Sequence, residues 1–328
     1  MRSSVDVQEV AHDGNSARNG ANSRVLITGA SGYLAQQIVP RLLRNHQVTL
    51  TDVRAPPSSN AALPPIEVFD ILDEPSAQRL TALMQGVDTV IHLAYRPARR
   101  IDTTSPASRQ ELSTQSISRY EDERRNIDLA QRVYQTALDT GVRRVICASS
   151  NHASSWHETL YQAGLKQTVY PYEYPKPASF YGWSKVAYES LGFLYACGSL
   201  GRKLEIVMVR ICAPRPLVPA AYVDAPPTRY VRDLAGYLSP RDCAQLFERA
   251  VETPDIRDPD GIPFLIVYAA SNNTRKYWSL ESARRVLGYS PVDDSEAEFA
   301  EDIRRIVSSA GDATGMTESD VRPSRATQ

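Results

Sequence analysis

Short, unbroken apolar runs rich in Val, Ile and Leu alternate along this chain with longer stretches whose apolar positions recur every three or four residues. Runs without polar alternation suit strands buried on both faces, and the longer stretches suit helices packed over them. The pattern predicts strands over 24–28, 47–51, 66–69, 89–94, 144–148, 205–211 and 264–268, with helices over 34–44, 75–84, 122–140 and 181–199. Strand and helix in regular alternation predict an α/β fold built on a doubly wound parallel sheet.

Two segments break the rhythm. Residues 96–120 are polar, with Arg96, Arg99 and Arg100 at their start, and follow the carboxyl end of a strand, where ligands sit in open α/β sheets. They read either as a solvated loop or as a lid over a ligand. Residues 153–179 carry Trp156, Tyr161, Tyr170, Tyr172 and Tyr174 among prolines and are expected to wall a pocket. Beyond Ile211 the chain is Pro-rich until Ser239-Pro240, an N-cap serine followed by proline at the first helical position. Residues 24–212 therefore read as a nucleotide-binding domain. Residues 213–307 read as a small, partly helical lobe that closes over the substrate and lends the strand at 264–268 to the sheet. The polar stretches 1–23 and 308–328 read as disordered tails.

The first strand runs into RVLITGASGYLA, where Gly29 and Gly32 stand three apart before an apolar helical pattern. A strand, a tight turn and a helix N-terminus in that order bring bare backbone N–H groups up to a diphosphate, which makes the sheet Rossmann-type. Ser31, Tyr33 and Leu34 belong to the same turn. Asp52 ends the next strand, where a carboxylate accepts from both ribose hydroxyls of an adenosine and repels a 2′-phosphate, so NAD is expected over NADP.

Composition narrows the field. At 328 residues the chain is long enough for a closed core, and a net charge of −1 gives no electrostatic case for nucleic acid or an anionic membrane. No stretch approaches the roughly 20 apolar residues of a membrane span, and the N-terminus has no signal-peptide core, so a cytoplasmic location is expected. Cys147, Cys197, Cys212 and Cys243 occur singly, without metal-ligand spacing, and no metal is expected.

Tyr181 and Lys185 lie four apart on a predicted helix and so face the same way. A phenol titrates at about 10 in water, and a neighbouring ammonium favours its phenolate, which can then serve as a base. In CASSNH, Ser149, Ser150, Asn151 and His152 end another predicted strand, where small polar groups meet a ligand.

Taken in order, TGASGYLA, Asp52, Asp70 in VFDILD, HLA at 92–94, Asn126, SSN and Tyr-x-x-x-Lys resemble the extended short-chain dehydrogenase/reductase superfamily over roughly 24–287. The resemblance implies Ser150 as the hydrogen-bonding catalytic serine, Tyr181 as the base or acid and Lys185 as its electrostatic partner, with Tyr181 and Lys185 also meeting the cofactor. It implies that Asp70 and Ile71 meet adenine, that Leu93, Ala94 and Ile211 line the cofactor site, and that Asn126 is a structural asparagine beside it. His92 shapes its loop.

A narrower likeness, carried by ASSNH (148–152), FYGWSK (180–185), YLSPRD (237–242) and VYAASNNTRKYW (267–278), is to the uronate dehydrogenase group. Those enzymes oxidise the C1 hydroxyl of a cyclic uronic acid to a lactone with NAD. The likeness implies that Asn151 and His152 contact sugar hydroxyls and that Arg232, or Arg229 in an adjacent register, pairs with a substrate carboxylate. Tyr95, Arg96 and Pro97 stand where the group carries a small Gly-rich loop, and Cys212-Ala213 replaces a more polar pair. Arg96, Arg99 and Arg100 leave room for a phosphorylated sugar, with Arg96 as a substrate contact. The expected activity is NAD-dependent oxidation of a cyclic sugar or uronic acid. The alternatives are a nucleotide-sugar epimerase or dehydratase with tightly bound NAD, and a dinucleotide-binding protein without catalysis. The superfamily resemblance also implies a homodimer through paired helices.

Overall fold

The structure, a computed structural model, describes residues 22–55, 63–97, 106–222 and 227–307, with side chains over 22–55, 63–97, 120–222 and 228–306. The two expected tails therefore fall almost wholly outside the described residues, as do Arg99 and Arg100.

In chain order the elements begin with β1 (Arg24–Thr28), α1 (Tyr33–Leu42), β2 (Gln47–Asp52), β3 (Ile66–Val68), α2 (Ala77–Met84), β4 (Thr89–His92) and α3 (Pro106–Asp139). They continue with β5 (Arg144–Ser150), α4 (Ser155–Gln162), α5 (Phe180–Ala196), β6 (Glu205–Ile211), α6 (Pro227–Gly236) and α7 (Pro240–Glu252). The chain closes with β7 (Phe264–Ala269), α8 (Glu281–Leu287), α9 (Ser295–Glu298) and α10 (Ala300–Val307). All seven strands pair in parallel in the order β3-β2-β1-β4-β5-β6-β7. The order reverses between β1 and β4, and a crevice opens there at the carboxyl ends of the strands.

The apolar runs alternate their faces as a strand must. Val25 and Ile27 of β1 join Ile38, Leu50, Ile91, Val207, Phe247 and Val267 beneath α1, α7 and α8. Leu26 points the other way, with Val90, Val145, Met208, Tyr134 and Tyr188 beneath α2, α3 and α5. Each such side chain, fully removed from water, contributes roughly 1.5–3 kcal/mol.

Three differences from the sequence pattern bear on the site. The segment 96–120 is not one loop: from Pro106 it is the first half of α3, a helix of 34 residues. Its sequence over 106–119 carries few large apolar residues, so no buried stripe announced a helix there. Residues 153–179 do not run as one irregular segment: a 3-10 turn at Asn151–Ser154 leads straight into α4. The boundary at 212 cuts through one core, because α7, β7 and α8 pack on the same sheet face as α1. A separate cluster of Leu217, Tyr222, Tyr230, Leu234 and Tyr237 with Phe299, Ile303 and Ile306 forms the smaller lobe. Amphipathic helices look alike whether they cover a sheet or a lobe, so periodicity did not distinguish the two.

Candidate active site

The crevice begins at the glycine turn. Gly29 has φ +75, and a Cβ on it would stand 2.5 Å from the backbone N of Ala94, so the turn after β1 rests directly on the loop after β4. L-residues avoid that conformation and would not fit that space. Gly32 caps α1 without any side-chain hydrogen bond, leaving the first-turn N–H groups facing the crevice. Beside them lies a groove of about 510 Å³ lined by Gly29, Ser31, Gly32, Asp52, Asp70, Ile71, Leu93 and Ala94 among others. Asp52 Oδ2 accepts from the Ser31 N–H at 2.9 Å and from the Ser31 hydroxyl at 2.6 Å, which ties the carboxylate to the turn. A cradle closed to any Cβ, an uncapped helix N-terminus and a carboxylate one strand away fit a dinucleotide.

Other residues expected at this end act less directly. Tyr33 packs beneath the Arg215 guanidinium at 4.9 Å, and Leu34 packs against the core. Ile211 ends β6 opposite Ser150 and is buried. Asn126 uses both ends of its amide on the backbone of Arg96, accepting from its N–H at 2.8 Å and donating to its carbonyl at 2.9 Å. It is thus a clamp on the loop after β4. Arg96, expected at the sugar, pairs with the Asp70 carboxylate, and both residues line the cofactor groove.

The reactive end is built by α5 against β5. Ser179 caps α5 by accepting from the Gly182 N–H at 3.1 Å. One turn of helix then sets Tyr181 and Lys185 on the same side. Tyr181 is half-buried, with its ring edge-on to Tyr95 at 5.4 Å and to His152 at 5.5 Å. The Lys185 ammonium lies 5.5 Å from the centre of the Tyr181 ring and donates to the Ala148 carbonyl at 3.0 Å. Ser150, the last residue of β5, accepts from the His152 N–H at 3.2 Å and donates to Asn151 Oδ1 at 3.3 Å. His92 is buried beneath, bonded to the Thr28 hydroxyl at 2.7 Å. Burial, followed by the nearby Lys185 charge, lowers its pKa to about 3, so it stays neutral.

Sequence reasoning passed over three residues here. Gly182 admits the close approach of α5 to the 151–154 turn. Glu123, on α3, is buried and accepts from the Tyr95 hydroxyl at 2.6 Å and the Ser184 hydroxyl at 2.7 Å, which fixes Tyr95 against Tyr181. Glu158, on α4, holds Arg232 from α6 through an ion pair. The bare FYG before the Lys was a signal for the first; nothing local marks the other two.

At this outer end Arg232 makes a second pair, Nη1 to Asp233 Oδ1 at 2.9 Å. His152 lies close enough to feel both charges. Its pKa is lowered by burial and then by Arg232, against an upward pull from Glu158. Arg229 is exposed and stacks its guanidinium 5.9 Å from the Tyr222 ring. Among the described residues no cluster of His, Cys, Asp and Glu could hold a metal ion, and no helix is long and apolar enough to cross a membrane.

Known proteins resemble this chain in sequence and in fold. An NAD-dependent glucose-6-phosphate dehydrogenase of Haloferax volcanii is 35% identical over 287 residues, 84% of this chain and 95% of the relative. An L-arabinose 1-dehydrogenase (NAD(P)(+)) of the same organism is 32% identical over 287 residues, 83% of this chain and 98% of the relative. The crystal structure of a glucuronic acid dehydrogenase from Chromohalobacter salexigens superposes with a TM-score of 0.64 at 25% identity, covering 91% of this chain and 94% of that one. Residues 25–213, the stretch that builds the crevice, match the NAD dependent epimerase/dehydratase family, and the chain belongs to that family.

Proposed function

We propose that this protein oxidises the C1 hydroxyl of a cyclic sugar or uronic acid to a lactone, with NAD as the oxidant. The observation that carries the reading is Tyr181. Its half-buried ring lies edge-on to His152 and 5.5 Å from the Lys185 ammonium, and the His152 N–H bonds Ser150 at the end of β5. Sugar dehydrogenases among its relatives support the substrate class.

When bound, NAD supplies the acceptor for the hydride that leaves C1 with its electron pair. Gly29, Gly32 and the start of α1 would hold its diphosphate, and Asp52 would hold the adenosine ribose. Tyr181, as phenolate, takes the proton of the C1 hydroxyl as the C1–O bond gains its second bond. The Lys185 ammonium supplies positive charge 5.5 Å from the centre of the Tyr181 ring and is itself held by the Ala148 carbonyl. Ser150 offers its hydroxyl to the same substrate oxygen and so orients it. Asn151 and His152 face the other hydroxyls of the ring.

The test is to incubate the purified protein with NAD and a panel of aldoses, glucose 6-phosphate and uronates while following NADH. Sustained NADH formation with lactone as product is expected. No NADH on any member, or an epimerised sugar with retained NAD and no net reduction, overturns the reading.

A further inference from the structure

Arg232 is the group expected to meet a uronate carboxylate, and three of its five N–H groups are already taken. Nε and Nη2 both donate to Glu158, the second at 3.3 Å, and Nη1 donates to Asp233 at 2.9 Å. Asp233 also receives the Tyr222 hydroxyl at 2.9 Å, so it is fixed from both sides. The Glu158 side chain is only 10% exposed and that of Arg232 28%, so the fork of the guanidinium is filled from within the protein. One cation faces two carboxylates.

The Glu158–Arg232 pair also adjoins the turn that carries His152, because Glu158 is on the helix packed against it. His152 touches the Tyr181 ring on one side and feels Arg232 and Glu158 on the other. Glu158 lies on α4, which follows directly on the 151–154 turn after β5, so the pair is joined to the carboxyl end of that strand. A ring whose C1 met Tyr181 would have His152 beside it and Glu158 beyond.

Resting on the function proposed above, we infer that Glu158 and Asp233, by occupying Arg232, make this an oxidoreductase of uncharged aldoses that discriminates against the corresponding uronates. An incoming carboxylate would meet Glu158 as a like charge, or would have to break a largely buried ion pair to reach Arg232. A sugar hydroxyl donates to Glu158 with no such conflict. Glu158 is then a residue that sets specificity.

The experiment compares kcat/KM for glucose and galactose with that for glucuronate and galacturonate, in the wild type, in Glu158→Gln and in Glu158→Gln/Arg232→Gln. The wild type is expected to favour the aldose by about 100-fold, as a like-charge conflict of a few kcal/mol gives. Glu158→Gln frees the guanidinium and is expected to shift the ratio toward the uronate by about tenfold or more, and the double variant to lose that gain. Binding of glucose and glucuronate to the NADH complex, by calorimetry, reads the same preference without turnover. Uronate bound or turned over as well as the aldose by the wild type overturns the inference, as does a folded Glu158→Gln with an unchanged ratio. If that variant fails to fold, the wild-type ratio decides alone. Aldose preference in binding without NADH formation overturns the oxidation and leaves the selectivity standing, and binding of neither sugar overturns both.

Discussion

Gly182 stands against the backbone of His152: a Cβ on Gly182 would lie 2.3 Å from the His152 carbonyl oxygen and 3.0 Å from its carbon. Because the obstacle is backbone, no rotamer change relieves it, and α5 would have to move away from the turn that carries Ser150 and His152. Gly182→Ala is therefore expected to cost roughly 1–3 kcal/mol as an overpacking substitution and to lower kcat by about tenfold or more through displaced Tyr181. Thermal melting and steady-state NADH formation check both.

Tyr181→Phe removes the phenolic oxygen and leaves the ring contacts with Tyr95 and His152 in place. Turnover is expected to fall by about 10²–10⁴-fold, the range of a lost acid–base group, while NAD affinity holds. Calorimetric titration with NAD beside single-turnover kinetics separates the two. Activity near wild type would remove the assigned base.

Asp52 both faces the cofactor groove and fastens Ser31 of the glycine turn. Asp52→Ala is expected to weaken NAD binding and to cut the preference for NAD over NADP by about tenfold or more, since a charge that repels a 2′-phosphate is gone. Ratios of kcat/KM for the two cofactors measure it.

His92 supplies a pH dependence of stability. Its folded pKa of about 3 lies below the usual 6.5, so above pH 6.5 both folded and unfolded chains hold it neutral and nothing is lost. Below 6.5 the unfolded chain binds a proton that the folded chain refuses, and stability falls as pH drops toward the folded value. Between pH 7 and 5 this group removes about 2 kcal/mol of stability, an amount that His92→Gln is expected to abolish from the pH profile. Urea midpoints at the two pH values, for both proteins, read the difference.

The sequence by itself determined the sheet and the sites local spacing can express. Apolar runs had to be strands buried on both faces, Gly29 and Gly32 had to turn tightly before a helix, and Tyr181 and Lys185, four apart, had to share a helix face. The same periodicity left the helical start of α3 at Pro106 unannounced, since a helix without an apolar stripe gives no signal. Only the tertiary structure decided the charge partners. Arg96 turns to Asp70, Glu123 joins Tyr95 to Ser184, and Glu158 fills the fork of Arg232 from 74 positions away. Helix and strand periods are written within a few residues, whereas an ion pair depends on which surfaces the closed chain brings together and how much water it leaves between them.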